Sequence, residues 1–235
     1  MTAPASDRRL PGLLAVALMI ARKDLAIEYR TRSAFFSSLV FSLLGVSIFY
    51  MVWDPTSVRP IDVAPGVLWT IFAFAGMLGL HRAFALELQT RAMDGLLLAP
   101  IPREAIFLGK ALANLAYVSA VLAITIPAVV LFYNLDFGSG LLILGGIGVL
   151  AAVGLVTVGT LFSSMTVHTR FAELLLPMLA LPFFIPVVVP AAQASAKLLV
   201  GADLHTVMPW IQVLVAFDLM FGVACVLAFP FTIED

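Results

Sequence analysis

The chain has 235 residues, of which 62% are hydrophobic and 11% are charged, and its mean hydropathy is +1.10. A soluble domain is usually about 45–50% apolar and about 25% charged, so the composition predicts a polytopic membrane protein. The net charge of −1 gives no electrostatic reason to expect nucleic acid as a partner. The single cysteine, Cys225, excludes an internal disulfide and a CxxC redox pair.

The N-terminal segment, residues 1–32, contains a predicted amphipathic helix. Its apolar stripe consists of Leu14, Leu18, Ala21, Leu25 and Tyr29. The charged side chains on the other side are Lys23, Asp24 and Arg30. This pattern is typical of a helix that lies on the membrane surface. A frayed leader segment is the alternative interpretation.

Six apolar runs are long enough to cross a membrane as helices, since one span needs about 20 residues. These predicted spans cover residues 33–53, 63–80, 111–132, 141–165, 174–192 and 210–229. The fold is therefore predicted to be all-α, with a six-span domain at 33–229 and a tail at 230–235. The stretches left over are too short for a soluble domain.

Positive charges are distributed unevenly between the two sides of this predicted bundle. The side that holds the termini has six Lys and Arg residues in the N-terminal segment, four in the loop 81–110, and Arg170. The opposite side has only Arg59 and Lys197. Because cytoplasmic loops carry an excess of Lys and Arg, both termini are predicted to be cytoplasmic. The tail has no Lys or Arg, so its placement depends on the even number of spans.

The loop between the second and third spans has a helical charge pattern. Glu87 and Arg91 are four residues apart with the acid first, a favourable helix-surface pair, and Asp94 continues this polar face. Gly95 favours a helix end, and Pro102 suits the start of the next helix. The pattern predicts a short amphipathic helix, a break, and then a membrane helix. A solvated helix that only joins two spans is the alternative.

The fifth span contains four prolines, each of which removes a backbone donor. They are Pro177, Pro182, Pro186 and Pro190. One interpretation is a broken helix at the translocation interface, because free backbone groups at membrane depth must be buried in protein or face water. The other is a kinked helix packed among its neighbours.

Asp218 lies eight residues inside the sixth predicted span, about 12 Å from Trp210 at helical rise. A carboxyl group at that depth is expected to be paired, protonated or turned toward the bundle. It is either a polar contact in the pathway or against another subunit, or a hydrogen-bonded structural group. A span that starts later than residue 210 would also explain its presence.

Two sets of residues resemble a known family. The order Gly95, Leu96–Pro100, Pro102–Arg103 and Leu108–Lys110 resembles the corresponding loop of ABC-2 type permeases. The segment Ala64–Trp69, and Arg170 followed by Leu174–Pro186, resemble the CcmB family, the heme exporter protein B family of cytochrome c maturation. This resemblance covers nearly the whole chain.

The resemblance implies a permease subunit of the bacterial inner membrane that acts in cytochrome c biogenesis. It would export heme, or release a heme-loaded chaperone, and would pair with a second copy or another membrane subunit. A separate CcmA-like subunit would bind ATP, and CcmC-like and CcmD-like subunits would be further partners. The loop helix would be the coupling helix, with Glu87, Arg91 and Asp94 as docking contacts.

The residues agree with a non-catalytic subunit that binds no cofactor of its own. The GxxxxGK[ST] motif is not present, because Ala111 follows Gly109–Lys110 and Glu104 stands where the first glycine belongs. The histidines His81, His168 and His205 are expected to be solvated loop residues rather than heme or metal ligands. Two other functions remain open: an ABC-2 permease for a polysaccharide, lipid or drug, and an ion-coupled secondary transporter.

Overall fold

The computed structural model describes residues 12–90, 95, 98–138, 140–166, 169 and 171–232, with the backbone only at 81–90 and 172–173. Seven helices lie in this part of the chain. They are α1 (Leu13–Thr31), α2 (Ser33–Val52), α3 (Pro60–Thr90), α4 (Arg103–Phe132), α5 (Gly140–Thr166), α6 (Ala172–Leu199) and α7 (Leu204–Thr232).

Helices α2 to α7 are each long and apolar enough to cross a membrane. The shortest has 20 residues, about 30 Å of helix, which matches the hydrocarbon thickness of a bilayer. Within the described residues every regular element is helical. The prediction of an all-α protein with six spans is confirmed.

Helix α1, the start of α4 and the end of α7 meet at one end of the bundle, which we call the terminal end. The Lys110 ammonium near the start of α4 donates to Asp24 of α1 over 3.2 Å. Arg103 at the start of α4 donates to the carbonyl oxygen of Pro230, near the end of α7, over 3.5 Å. At the opposite end, the rings of Trp53 and Tyr133 follow α2 and α4 and have centroids 5.3 Å apart.

Helices α3 and α5 form the centre of the bundle because their glycines allow close approach. A Cβ atom added to Gly148 of α5 would lie 2.7 Å from a methyl carbon of Leu122 on α4. Trp69 of α3 is fully buried, and its indole donates to the hydroxyl of Ser195 on α6 over 2.9 Å. Ser195 in turn donates to the carbonyl of Ala191 at 2.7 Å, so this buried polar pair is satisfied.

The broken-helix interpretation of the fifth span is wrong, because α6 is one helix from Ala172 to Leu199 and contains Pro177, Pro182, Pro186 and Pro190. The last three prolines are spaced four residues apart. The three backbone N–H groups that these prolines lack would all have formed hydrogen bonds along one side of the helix. The hydrogen bonds on the other sides are unaffected, so the helix continues. Neighbouring helices also support a proline-containing span.

Candidate functional site

The segment that carries the predicted coupling residues continues from α3 at the terminal end. Helix α3 has 31 residues, about 46 Å of helix, so its last turns extend well past a hydrocarbon layer of about 30 Å. The backbone of Glu87 belongs to these turns, and its side chain lies outside the described residues. Arg91 and Asp94 also lie outside the described residues.

The helix end predicted at Gly95 is wrong, whereas the predicted break before the next helix is present. Helix α3 continues through residues 81–90 without a break, and Gly95 is itself helical. Gly95 lacks the positive φ angle of a left-handed helix cap, which occurs at Gly138 and Gly201. Residues Ala99–Pro102 are not helical, and α4 begins at Arg103 as predicted.

Neighbouring helices meet near the base of this segment. Ser163 of α5 donates to the carbonyl oxygen of Leu80 on α3 over 2.9 Å, where the apolar part of α3 ends. The hydroxyls of Ser164 on α5 and Thr232 on α7 are 3.0 Å apart. The first bond links the end of the apolar part of α3 to α5, and the second links α5 to the end of α7.

Helix α1 is bound to α4 by a close backbone contact. The face that packs consists of Val16, Ala17, Ile20 and Ala21, all buried. A Cβ atom at Gly109 of α4 would lie 2.7 Å from the Cβ of Ile20 and 2.8 Å from the carbonyl oxygen of Ala17. Gly109 is therefore required for this contact.

The predicted apolar stripe of α1 is only partly correct. Leu14, Leu18 and Tyr29 are exposed, at 71%, 62% and 74%, as a membrane-facing stripe requires, whereas Ala21 is buried. Asp24 was placed with the solvated charges. It instead forms ion pairs with Lys110, at 3.2 Å, and with Lys23, at 3.1 Å.

The corner between α1 and α2 is stabilised by a capping carboxylate. Arg32 adopts a left-handed conformation with φ of 53° and ends α1. The side chain of Glu28 accepts a hydrogen bond of 2.9 Å from the backbone amide of Phe35, in the first turn of α2. A carboxylate at this position satisfies a free amide and interacts favourably with the helix dipole.

A buried polar network joins α2, α3 and α4, and sequence reasoning missed it. The Tyr117 hydroxyl donates to the carbonyl of Ala34 over 3.0 Å and hydrogen-bonds to the Ser38 hydroxyl. Ser38 contacts the carbonyl of Ala75 over 2.9 Å. The polar residues themselves were the available signal, because a Tyr and a Ser inside predicted spans need partners.

Asp218 lies at the centre of α7, with fourteen helical residues on each side of it. The helix starts at Leu204, six residues before the predicted span, and the depth of Asp218 in the membrane stays a prediction. Both carboxyl oxygens are buried, and neither has a hydrogen-bond partner among the residues that the structure describes. The structural hydrogen bond expected from the sequence is therefore not found within that part of the chain.

The loop at the opposite end provides surface charges away from the candidate coupling segment. The Arg59 guanidinium donates to the carboxylate of Asp62 over 2.9 and 3.1 Å, and this hydrogen bond raises the pKa of Arg59. Hydrogen bonds from Thr56 lower the pKa of Asp54. His205 is exposed in the first turn of α7, His81 contributes only backbone, and His168 lies outside the described residues.

The comparisons with known proteins agree with this architecture. The sequence profile of the CcmB protein family matches residues 15–234. A protein named heme exporter protein B from Rhodobacter capsulatus is 30% identical over 171 residues, which are 73% of this chain and 78% of that protein. Proteins of the same name from Paracoccus denitrificans and Pseudomonas aeruginosa are 29% and 25% identical, over 82% and 86% of this chain and 87% and 90% of theirs. Because the profile covers all six membrane helices, the chain belongs to the CcmB family.

Proposed function

We propose that this chain is the membrane permease subunit of a heme export system in cytochrome c biogenesis. The observation that carries the proposal is the CcmB profile match, which extends from α1 through all six spans. Two relatives that match 82% and 86% of this chain have the name heme exporter protein B. The protein is a multi-pass membrane protein, as its six long apolar helices require.

The energy for transport comes, in this proposal, from a separate CcmA-like subunit that hydrolyses ATP. The only Gly–Lys pair of the chain is Gly109–Lys110, and it lacks the rest of a phosphate-binding loop. Lys110 is 2% exposed and paired with Asp24, so it is not placed to bind a phosphate. CcmC-like and CcmD-like subunits, and a second copy of this chain, are further proposed partners.

The proposed docking contacts for the ATPase are Glu87, Arg91 and Asp94. Their segment begins in the last turns of α3, beyond the apolar part that ends at Leu80. The hydrogen bond from Ser163 to Leu80 links this point to α5. A push on the end of α3 would thereby shift two central helices together.

The proposed location is the bacterial inner membrane, with the terminal end in the cytoplasm. The Lys and Arg count supports this orientation. We expect reporter fusions after Arg9 and in the loop 91–102 to report cytoplasm, and fusions beside Arg59 and His205 to report the outside. An outside signal from the loop 91–102 would contradict both the orientation and the ATPase contact.

Charge reversal in the coupling segment tests the docking proposal. We expect Arg91→Glu and Glu87→Lys to reduce recovery of the ATP-binding subunit about tenfold, because a like charge at an interface is strongly unfavourable. The cytochrome c yield is expected to fall in parallel while membrane insertion stays normal. Both quantities are measured by co-purification and by heme staining of cytochrome c.

Arg59→Glu is the matched control, since it reverses an exposed charge at the opposite end of the bundle. It is expected to leave recovery of the ATP-binding subunit unchanged. Normal recovery and normal cytochrome c in both Arg91→Glu and Glu87→Lys would show that this segment does not dock the ATPase.

A further inference from the structure

Asp218 is a half-buried residue whose two carboxyl oxygens are buried and have no hydrogen-bond partner among the described residues. A Cβ atom at Gly154 of α5 would lie 2.7 Å from Oδ1 of Asp218, 3.0 Å from a methyl of Val187 on α6, and 3.2 Å from the ring of Phe217. Gly154 therefore creates the space that the carboxyl occupies. We call this three-helix contact the Asp218 seam.

A row of contacting phenyl rings begins at Phe217, which lines the Asp218 seam. The ring of Phe183 on α6 lies 5.6 Å from that of Phe221 on α7, and Phe221 stacks on Phe217 at 4.3 Å. Phe183 also contacts Phe162 of α5, with centroids 5.2 Å apart. Such an environment offers no hydrogen-bond donors for an ionised carboxylate, and the cost of burying one unpaired is far greater than that of a neutral acid.

In the described helices that pack on α7, no positively charged residue lies at the same height in the bundle as Asp218. Helix α5 contains no ionisable residue. The other ionisable residues of α6 and α7 are Glu173, Lys197, His205 and Cys225. Lys197 lies ten residues beyond Val187, about 15 Å along α6, and His205 lies about 20 Å from Asp218 along α7. Helix α4 meets α7 at the terminal end, where Arg103 contacts Pro230, about 18 Å along α7 from Asp218.

On the α6 side of the seam, backbone carbonyl oxygens are available as hydrogen-bond acceptors for water. Pro186 and Pro190 have no amide hydrogen, so the carbonyl oxygens of Pro182 and Pro186 lack their usual partners in the helix. Pro186 directly precedes Val187, which lies against the seam. Carbonyl oxygens without a helix partner are the kind of acceptors that hold water when helices separate.

We propose that Asp218 is a proton-binding site, which keeps its proton while the Asp218 seam is closed and releases it to water only when α5, α6 and α7 separate. On release, the O–H bond of the acid breaks, the proton passes to an entering water molecule, and the carboxylate remains hydrated. Opening and closing of the bundle are thereby linked to one proton per chain. The inference does not depend on which cargo the protein moves.

Infrared spectroscopy of the full chain with its partner subunits in membranes tests the proposal, because a neutral acid has a carbonyl stretch that a carboxylate lacks. We expect the neutral-acid band of Asp218 at neutral pH. The band should be lost completely in Asp218→Asn, which keeps the shape of the side chain, and retained in Asp203→Asn, which changes an exposed carboxyl. If the wild-type protein shows no such band at neutral pH, Asp218 is ionised and the proposal is wrong.

A second measurement tests the link to opening. In heavy water the band shifts when the proton exchanges, and we expect slow exchange at rest and faster exchange during ATP hydrolysis by the partner subunit. Fast exchange at rest would mean that the seam is already open to water and would overturn the proposal. If Asp218→Asn does not accumulate, Asp218→Glu identifies the band, since a shifted band supports the assignment and an unmoved band refutes it.

Discussion

We expect Gly79→Ala to destabilise the protein by about 3 kcal/mol or more, the upper end of the cost of overpacking a core. The added Cβ atom would overlap with the edge of the Tyr117 ring. That ring has no room to move, because its hydroxyl is bound to the carbonyl of Ala34 at 3.0 Å and to Ser38. Ser38 is itself bound to the carbonyl of Ala75, in the same helix as Gly79. The measurement is the thermal unfolding midpoint in detergent, together with the protein level in membranes.

Gly66→Ala is the matched control for this substitution. Gly66 lies in the same helix, and a Cβ atom there would have no neighbour within 4 Å. An alanine at this position is expected to be neutral or slightly stabilising, because alanine favours helix. Equal unfolding midpoints for Gly79→Ala and Gly66→Ala would contradict the described packing of Tyr117.

The spans could be predicted from the sequence because hydropathy is a local property of each segment. Their lengths could not, since the helices continue into residues that are no longer apolar. Hydropathy places the start of the third span at Ala111, and only Pro102 indicated that its helix, α4, starts at Arg103; α3 continues ten residues past Leu80. In both cases the helix extends beyond the apolar stretch. The backbone groups of a polar turn can still form hydrogen bonds with the preceding turn of the same helix.

Contacts between helices could not be predicted, since they depend on residues far apart in the chain. Both sides of α1 contain apolar residues, and Gly109 determines which of them packs, because only its lack of a side chain admits Ile20. The start of α7 at Leu204 was missed for a different, local reason. His205 and Thr206 lower the hydropathy of its first turn, which is nevertheless helical. The four prolines of α6 were ambiguous because their effect depends on the helices around them.

The ion pair between Asp24 and Lys110 gives the second prediction. The Lys110 side chain is 1% exposed and that of Asp24 is 20% exposed. Asp24→Leu removes the carboxylate and leaves the buried ammonium in place, which we expect to cost about 3 kcal/mol, the lower end for breaking a buried pair. The expected consequence is detachment of α1 from α4, measured as faster proteolysis within α1 and a lower free energy of unfolding in denaturant.

Two further variants separate the buried pair from a general effect of charge. Lys110→Met in the Asp24→Leu background removes the stranded ammonium, so stability is expected to recover most of the loss, because an apolar pair of similar volume often replaces a buried ion pair without cost. Lys23→Met removes the exposed cation that lies 3.1 Å from the same carboxylate, and we expect a loss below about 1 kcal/mol. If the effects of Asp24→Leu and Lys110→Met simply add, the two side chains are not energetically coupled and the ion pair does not hold α1. Coupling between them would mean that α1 moves with α4, so that a conformational change at the terminal end carries the N-terminal helix along with the bundle.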